Sequence, residues 1–184
     1  MKPKFAILVV DMLNDFVTGA LKCDRGLAIV PHTKKLLDGA RKNHIPVIFC
    51  NDSHLPSIDH ELKLWGNHAI KGTEGAKIIP ELGPKPTDYI IEKRRYSGFF
   101  HTDLDLLLKE LEVDTVILAG LHTHMCVRHT AADAYQLGYK VIACSDATDS
   151  FTKDDYDSGI KYLKEVYDAD IVTSQELIKI FERE

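Results

Sequence analysis

The sequence predicts an α/β fold in three layers, with a six-stranded parallel sheet between two layers of helices. Three observations predict it. Six short runs rich in Val and Ile lack the polar alternation of a half-exposed strand, which suits strands covered on both faces. Amphipathic stretches of helical period separate most of these runs, and strand–helix alternation implies right-handed crossovers and parallel pairing. The 184 residues are 45% hydrophobic, enough for one packed domain over residues 1–184 and too much for a disordered chain.

The elements follow in order. Phe5 to Val10 is a continuous apolar run ending in Asp11. Val30 to Asn43 carries Leu36, Leu37 and Ala40 on one side of a helix. Pro46 to Cys50 is the second strand, ending in Asn51-Asp52. Asp52 to Pro86 is a long irregular segment with room for short helices, and such a loop inside a compact domain is usually functional. Tyr89 to Ile91 is the third strand, followed by Glu92-Lys93. Thr102 to Leu111 places Leu104, Leu107, Leu108 and Leu111 at i, i+3, i+4 and i+7, a helical stripe. Thr115 to Ala119 is the fourth strand and ends at Gly120. Met125 to Leu137 is a helix of small residues stopped by Gly138, as glycine does at a helix C-terminus. Lys140 to Cys144 is the fifth strand, Asp170 to Val172 a short sixth, and Asp154 to Tyr167 and Ser174 to Glu182 are helices.

Composition excludes several classes. Twenty-three Lys and Arg against 28 Asp and Glu give a net charge of -5, which argues against nucleic acid as a partner. No apolar run reaches the ~18 residues of a membrane span, so no membrane partner is expected. Met1-Lys2-Pro3-Lys4 leads into a run too short for a signal-peptide core. Cysteines 23, 50, 126 and 144 form no Cys-x-x-Cys pair. A reduced, cytoplasmic protein is the expectation.

Ligands of open parallel sheets bind beyond the carboxyl ends of the strands. Asp11 falls there after the first strand, Asp52 and His54 after the second, Lys93 after the third, and Cys126 in the segment after the fourth. Each alone has an ordinary reading: a turn carboxylate, a solvated lysine, a core cysteine. Together they place a carboxylate, an amine and a thiol on one edge. Cys126 at a helix start meets unpaired N–H groups and a partial positive charge, and both favour thiolate. Lys93 nearby would add to this, and Asp11 within reach would take the thiol proton. Cys50 and Cys144 read as buried strand ends, and Cys23 as a loop residue without a role.

Three segments are more specific: Val9-Val10-Asp11-Met12-Leu13-Asn14-Asp15-Phe16, Lys93 with Tyr96-Ser97-Gly98-Phe99, and Gly120 through Arg128 followed by Thr130-Ala131-Ala132-Asp133-Ala134. They resemble the motifs of the isochorismatase-like cysteine hydrolases over nearly the whole chain. That resemblance implies strand order 3-2-1-4-5-6 and a catalytic triad of Asp11, Lys93 and Cys126. It also implies a cis non-proline peptide at Leu121–His122, with the backbone N–H groups of His122 and Cys126 as an oxyanion hole. His122 stands where the family often has a small residue. Possession of Cys126 resembles the amidohydrolase branch, which includes nicotinamidases, N-carbamoylsarcosine amidases and ureido-acid amidases. The implied reaction cleaves a small amide or ureido compound through a thioester and releases ammonia. The implied assembly is a homo-oligomer, dimer or tetramer.

Asp52-Ser53-His54 with His68 is a weak metal signal by spacing alone. Its context, Trp65-Gly66-Asn67-His68 before Gly72-Thr73-Glu74-Gly75, resembles the nicotinamidase arrangement around one divalent metal. A carboxylate and two imidazoles suit zinc first, with iron or manganese open; no organic cofactor is implied. His60 is a weaker candidate ligand and Asp59 reads as a solvated loop residue. Phe16 and Trp65 are candidate pocket walls, with ordinary loop packing equally open. Met125 replaces the tyrosine that nicotinamidases often carry. Arg128 reads either as a contact for a substrate carboxylate or as a structural ion pair.

Two other classes remain at this stage. A receiver-type phosphoryl-binding domain also presents carboxylates and a lysine at strand ends, but Met12 to Asn14 separate Asp11 from Asp15. A haloacid-dehalogenase motif fails because position 13 is Leu13. A non-catalytic family member used as a binding module is the third reading.

Overall fold

The strands of the computed structural model, which describes residues 4–183, are β1 (Phe5–Val10), β2 (Val47–Asp52), β3 (Tyr89–Lys93), β4 (Thr115–Leu121), β5 (Lys140–Asp149) and β6 (Asp170–Val172). The reading of Met1-Lys2-Pro3 lies outside the described residues. All pairings are parallel, in the order β3-β2-β1-β4-β5-β6, as the family resemblance implied.

The alternation of side chains along β1 divides the core in two. Ile7 and Val9 face α3 (Val30–Lys42) and α8 (Ser174–Phe181), packing with Leu36, Leu37, Leu177 and Phe181. Ala6, Leu8 and Val10 face α5 (Leu104–Glu110), α6 (Arg128–Gln136) and α7 (Lys153–Tyr167), through Leu104, Leu108, Ala131, Ala134 and Leu163. Burial on both faces explains why the strands read as unbroken apolar runs. The helix boundaries have local causes. Thr152 accepts the Asp155 N–H at the start of α7, and Thr173 forms a capping box with Glu176 at the start of α8. Short helices α1 (Asn14–Val17), α2 (Asp24–Ala28) and α4 (Leu62–Trp65) sit in the connections. Among the described residues no helix is long and apolar enough to cross a membrane.

Several elements differ from the sequence reading. β3 runs two residues further, so Lys93 ends the strand instead of following it. β5 continues past Cys144 to Asp149; the register shifts between Leu118 and Gly120, and pairing resumes at Gly120–Thr148. A bulge of this kind interrupts the apolar pattern without ending the strand. The helix expected from Met125 begins as a π-helical turn, Thr123–Val127, in which the Val127 N–H reaches back to the His122 carbonyl at 3.3 Å. A five-residue hydrogen bond has no side-chain period of its own in a sequence this short. Cys23, expected in a polar loop, is buried, and its sulfur accepts the Gly26 N–H as the cap of α2.

Gly120 and Gly159 set the backbone around that turn. Gly120 has φ of 101°, and a Cβ there would lie 2.0 Å from the Val10 carbonyl oxygen. A Cβ on Gly159 of α7 would lie 2.9 Å from the His124 nitrogen, so the bare glycine lets α7 press on the π turn. Gly120→Ala therefore combines a disfavoured φ with a backbone clash. We expect it to lower stability by more than ~2 kcal/mol, read as a fall in the urea midpoint; an unchanged midpoint would contradict the placement of Gly120.

Candidate active site

The strand ends of β1, β2 and β3 converge on one buried ion cluster. Asp52 and Lys93 are register partners across β2 and β3, so their side chains project to the same side. Asp11, just past β1, adopts a left-handed φ of 52°, a conformation that aspartate tolerates better than most residues. This turn swings its carboxylate over β2, where Oδ1 accepts the Asp52 N–H at 2.8 Å. Lys93 Nζ donates to Asp11 Oδ2 at 2.8 Å and to Asp52 Oδ1 at 2.6 Å. All three side chains are almost fully buried.

Cys126 joins this cluster from the π turn. Its sulfur and one carboxylate oxygen each from Asp11 and Asp52 lie within 4.8 Å of one another. Burial opposes the Lys93 charge, yet the carboxylates of Asp11 and Asp52 outweigh it and hold the ammonium well above the ordinary lysine range. Burial, reinforced by the Asp52 charge and opposed by Lys93, raises Asp11 to about 6. A carboxylate there is a usable base near neutral pH. Burial also pushes the Cys126 thiol well up, against the pull of Lys93. A thiol raised in this way needs a base to take its proton. The Leu121–His122 peptide is cis.

Asp52 also faces two imidazoles. One ligand atom each from Asp52, His54 and His68 falls within a 4.8 Å cluster. His54 Nδ1 bonds Asp59 Oδ2 at 3.2 Å, and His68 Nδ1 bonds the Gly66 carbonyl at 2.8 Å. Those oxygens only accept, so both Nδ1 atoms carry hydrogen. His54 Nε2 lies 3.5 Å and His68 Nε2 4.0 Å from Asp52 Oδ2. His54 Nε2 and Glu61 Oε2, 4.0 Å apart, are buried without a hydrogen-bond partner. Orphaned buried groups call for an unseen partner. A carboxylate and imidazoles oriented through their second nitrogens fit a divalent cation. A cation would also offset the excess negative charge of Asp11 and Asp52 over Lys93.

The cavity over Cys126 is lined by Phe16 and Trp65, together with His122, Met125, Tyr96 and Phe151. Its free volume is about 20 Å³, room for roughly one water. Trp65 closes it, donating Nε1–H to the Tyr96 hydroxyl at 3.1 Å and stacking on Phe151. His122 stacks on Phe151 with ring centroids 3.9 Å apart, and both its ring nitrogens lack partners. Burial lowers its pKa to about 3, so the ring is neutral at physiological pH.

Other candidates fall elsewhere. His60 is exposed and bonds Arg95 instead of joining the metal cluster. Arg128 places its guanidinium 5.0 Å from the Tyr162 ring centroid and does not line the cavity. Asp59 is buried, not solvated. Glu61, Tyr96 and Phe151 were not singled out by residue type and spacing. Tyr96 belongs to the segment Tyr96-Ser97-Gly98-Phe99, but no residue pattern around Glu61 or Phe151 points inward.

Residues 5–176 match the isochorismatase domain family. The chain belongs to the isochorismatase family. Solved relatives agree. The N-carbamoylsarcosine amidase of Thermoplasma acidophilum is 39% identical, with a TM-score of 0.87 over 93% of this chain and 96% of that one. Nicotinamidase PncA of Bacillus subtilis is 33% identical, with a TM-score of 0.88 over 92% and 99%. A pyrazinamidase of Pyrococcus horikoshii, solved in complex with zinc, is 29% identical, with a TM-score of 0.86 over 93% and 99%. The protein is thus an isochorismatase-family hydrolase, and the receiver-type reading is set aside. Its strand order also differs from the 2-1-3-4-5 order of receiver domains.

Proposed function

We propose that the protein is a cysteine amidohydrolase that cleaves the C–N bond of a small, neutral, flat amide in the manner of the nicotinamidases. The observation that carries this reading is the buried cluster of Asp11, Lys93 and Cys126 at the strand ends, under an aromatic cavity. Asp11 takes the proton from Cys126, and the thiolate attacks the amide carbon. The developing oxyanion is held by the backbone N–H groups of His122 and Cys126. Lys93 stabilises the charged sulfur. Asp11 returns the proton to the departing nitrogen, and ammonia leaves a thioester on Cys126. Asp11 then deprotonates a water that cleaves the thioester, releasing the carboxylic acid and restoring the thiol.

Asp52, His54 and His68 would hold one divalent metal, zinc first, with Glu61 beside it. When bound, the metal supplies a Lewis acid that orients the substrate or its water. Phe16, Trp65 and Phe151 favour a flat ring. Cavity-lining carboxylates Asp52 and Glu61, with no Lys or Arg in the lining, disfavour a substrate that bears its own carboxylate. The 39% identity to an N-carbamoylsarcosine amidase keeps a ureido substrate as the second reading. We place the working form as a homo-oligomer, dimer or tetramer, in the cytoplasm.

Ammonia release from nicotinamide, pyrazinamide, N-carbamoylsarcosine and other ureido acids tests the proposal. Expected are turnover of the neutral amides above the ureido acids, and loss of that turnover after chelation with recovery on adding zinc. Preference for the ureido acids would select the second reading. No ammonia from any substrate would sink both and revive a binding module.

A further inference from the structure

Asp59 is embedded as few loop carboxylates are. Oδ2 accepts the Leu55 N–H at 2.8 Å and meets His54 Nδ1 at 3.2 Å. Arg94 Nε donates to Oδ1 at 2.9 Å and to Oδ2 at 3.1 Å, and its terminal nitrogen also reaches Oδ1. The Asp59 side chain is fully buried while that of Arg94 is 47% exposed. A surface arginine on the residue after β3 therefore anchors an interior carboxylate on the loop after β2.

His54 explains the purpose of this arrangement. With its Nδ1 hydrogen given to Asp59, Nε2 presents a lone pair toward Asp52 Oδ2 at 3.5 Å. Nε2 has no hydrogen-bond partner there, and a cation between it and the Asp52 carboxylate would satisfy both. We propose that Asp59 and Arg94 are positioning residues for the metal: Asp59 fixes the ring of His54 with Nε2 free, and Arg94 holds Asp59 in place for that task. This inference rests on the metal reading above. Arg94 also occupies the outer oxygen of Asp59, which keeps that carboxylate turned toward the ring instead of becoming a ligand itself.

Asn at position 59 cannot reproduce the contact. With its oxygen toward His54, its NH₂ meets the donors of Arg94. Flipped, its NH₂ meets the Leu55 N–H and forces the hydrogen of His54 onto Nε2, the ligand atom. The test is zinc affinity of the metal-stripped full chain, by competition with a chromophoric chelator. We expect Asp59→Asn to weaken zinc binding by ~10–100-fold, Arg94→Gln to weaken it by less, and Arg94→Lys to fall between wild type and Arg94→Gln. Thermal midpoints of the metal-free proteins are measured alongside. Lower midpoints with unchanged zinc affinity would reduce Asp59 and Arg94 to structural residues and overturn the inference alone. Failure of the wild type to bind zinc would overturn both the inference and the metal reading. If Asp59→Asn does not fold, the exposed Arg94 variants carry the same comparison, and unchanged affinity in both overturns the proposal.

Discussion

Cys126→Ala is expected to lower amide hydrolysis by roughly 10⁴- to 10⁶-fold, the range seen when a hydrolytic triad loses its nucleophile. The reason is local. The variant keeps the Lys93 bonds to Asp11 and Asp52, so base, cation and cavity remain. What disappears is the only group in the cluster able to form the thioester. Asp11, raised to about 6, could still deprotonate water, but a water placed by chance lacks the oriented attack that the π turn provides. Stability should change by no more than ~1–2 kcal/mol, since one sulfur is removed from a packed site. Ammonia release and the urea midpoint, measured together, check both halves. Retention of more than a few per cent of wild-type turnover would remove Cys126 from the proposed mechanism.

Lys93→Met is expected to have the largest effect on folding. The substitution conserves length and apolar stem but leaves Asp11 and Asp52 facing each other without their shared cation. Breaking a buried ion pair by removing one partner costs about 3–5 kcal/mol. The sign with pH follows from the carboxylates. Burial, reinforced by Asp52, already raises Asp11 in the wild type, and loss of Lys93 raises it further. A raised folded-state pKa means stability that is full at low pH and lost as pH rises through the folded value. The deficit of Lys93→Met is therefore greatest near neutrality and narrows as pH falls toward ~4, the range in which unfolded aspartates also take up protons. Urea titrations of both proteins between these limits measure it. A deficit that stayed constant with pH would mean that packing, not charge, makes Lys93 important.

Strand order came from the family resemblance, but the placement of Asp11, Asp52 and Lys93 at the ligand edge was legible because a strand is short and its end is marked. An apolar run stops, and the next polar residue lies on the ligand edge. The contacts of Asp59 and Glu61 were not legible, because they depend on how the loop from Leu55 to Gly66 folds back over His54. Tertiary contacts such as those of Asp59 with Arg94 and Trp65 with Tyr96 fold that loop. No local propensity encodes them. The depth of Cys126 was likewise not legible: helix position favours thiolate, whereas tertiary burial raises the thiol.

β3 lies at the outer edge of the sheet, with Tyr89, Ile90 and Glu92 exposed and only β2 as its neighbour. Such a strand is ordinarily the first to fray. Here its last residue reaches inward past β2 to grip Asp11 beyond β1. The lysine assigned to the chemistry is also a rivet that fastens the rim of the sheet to its centre. Fraying of this border would withdraw the ammonium from Asp11 and Asp52 at the same moment. In the proposed mechanism, the charge that steadies the sulfur and the integrity of the sheet's margin would therefore be lost as one event.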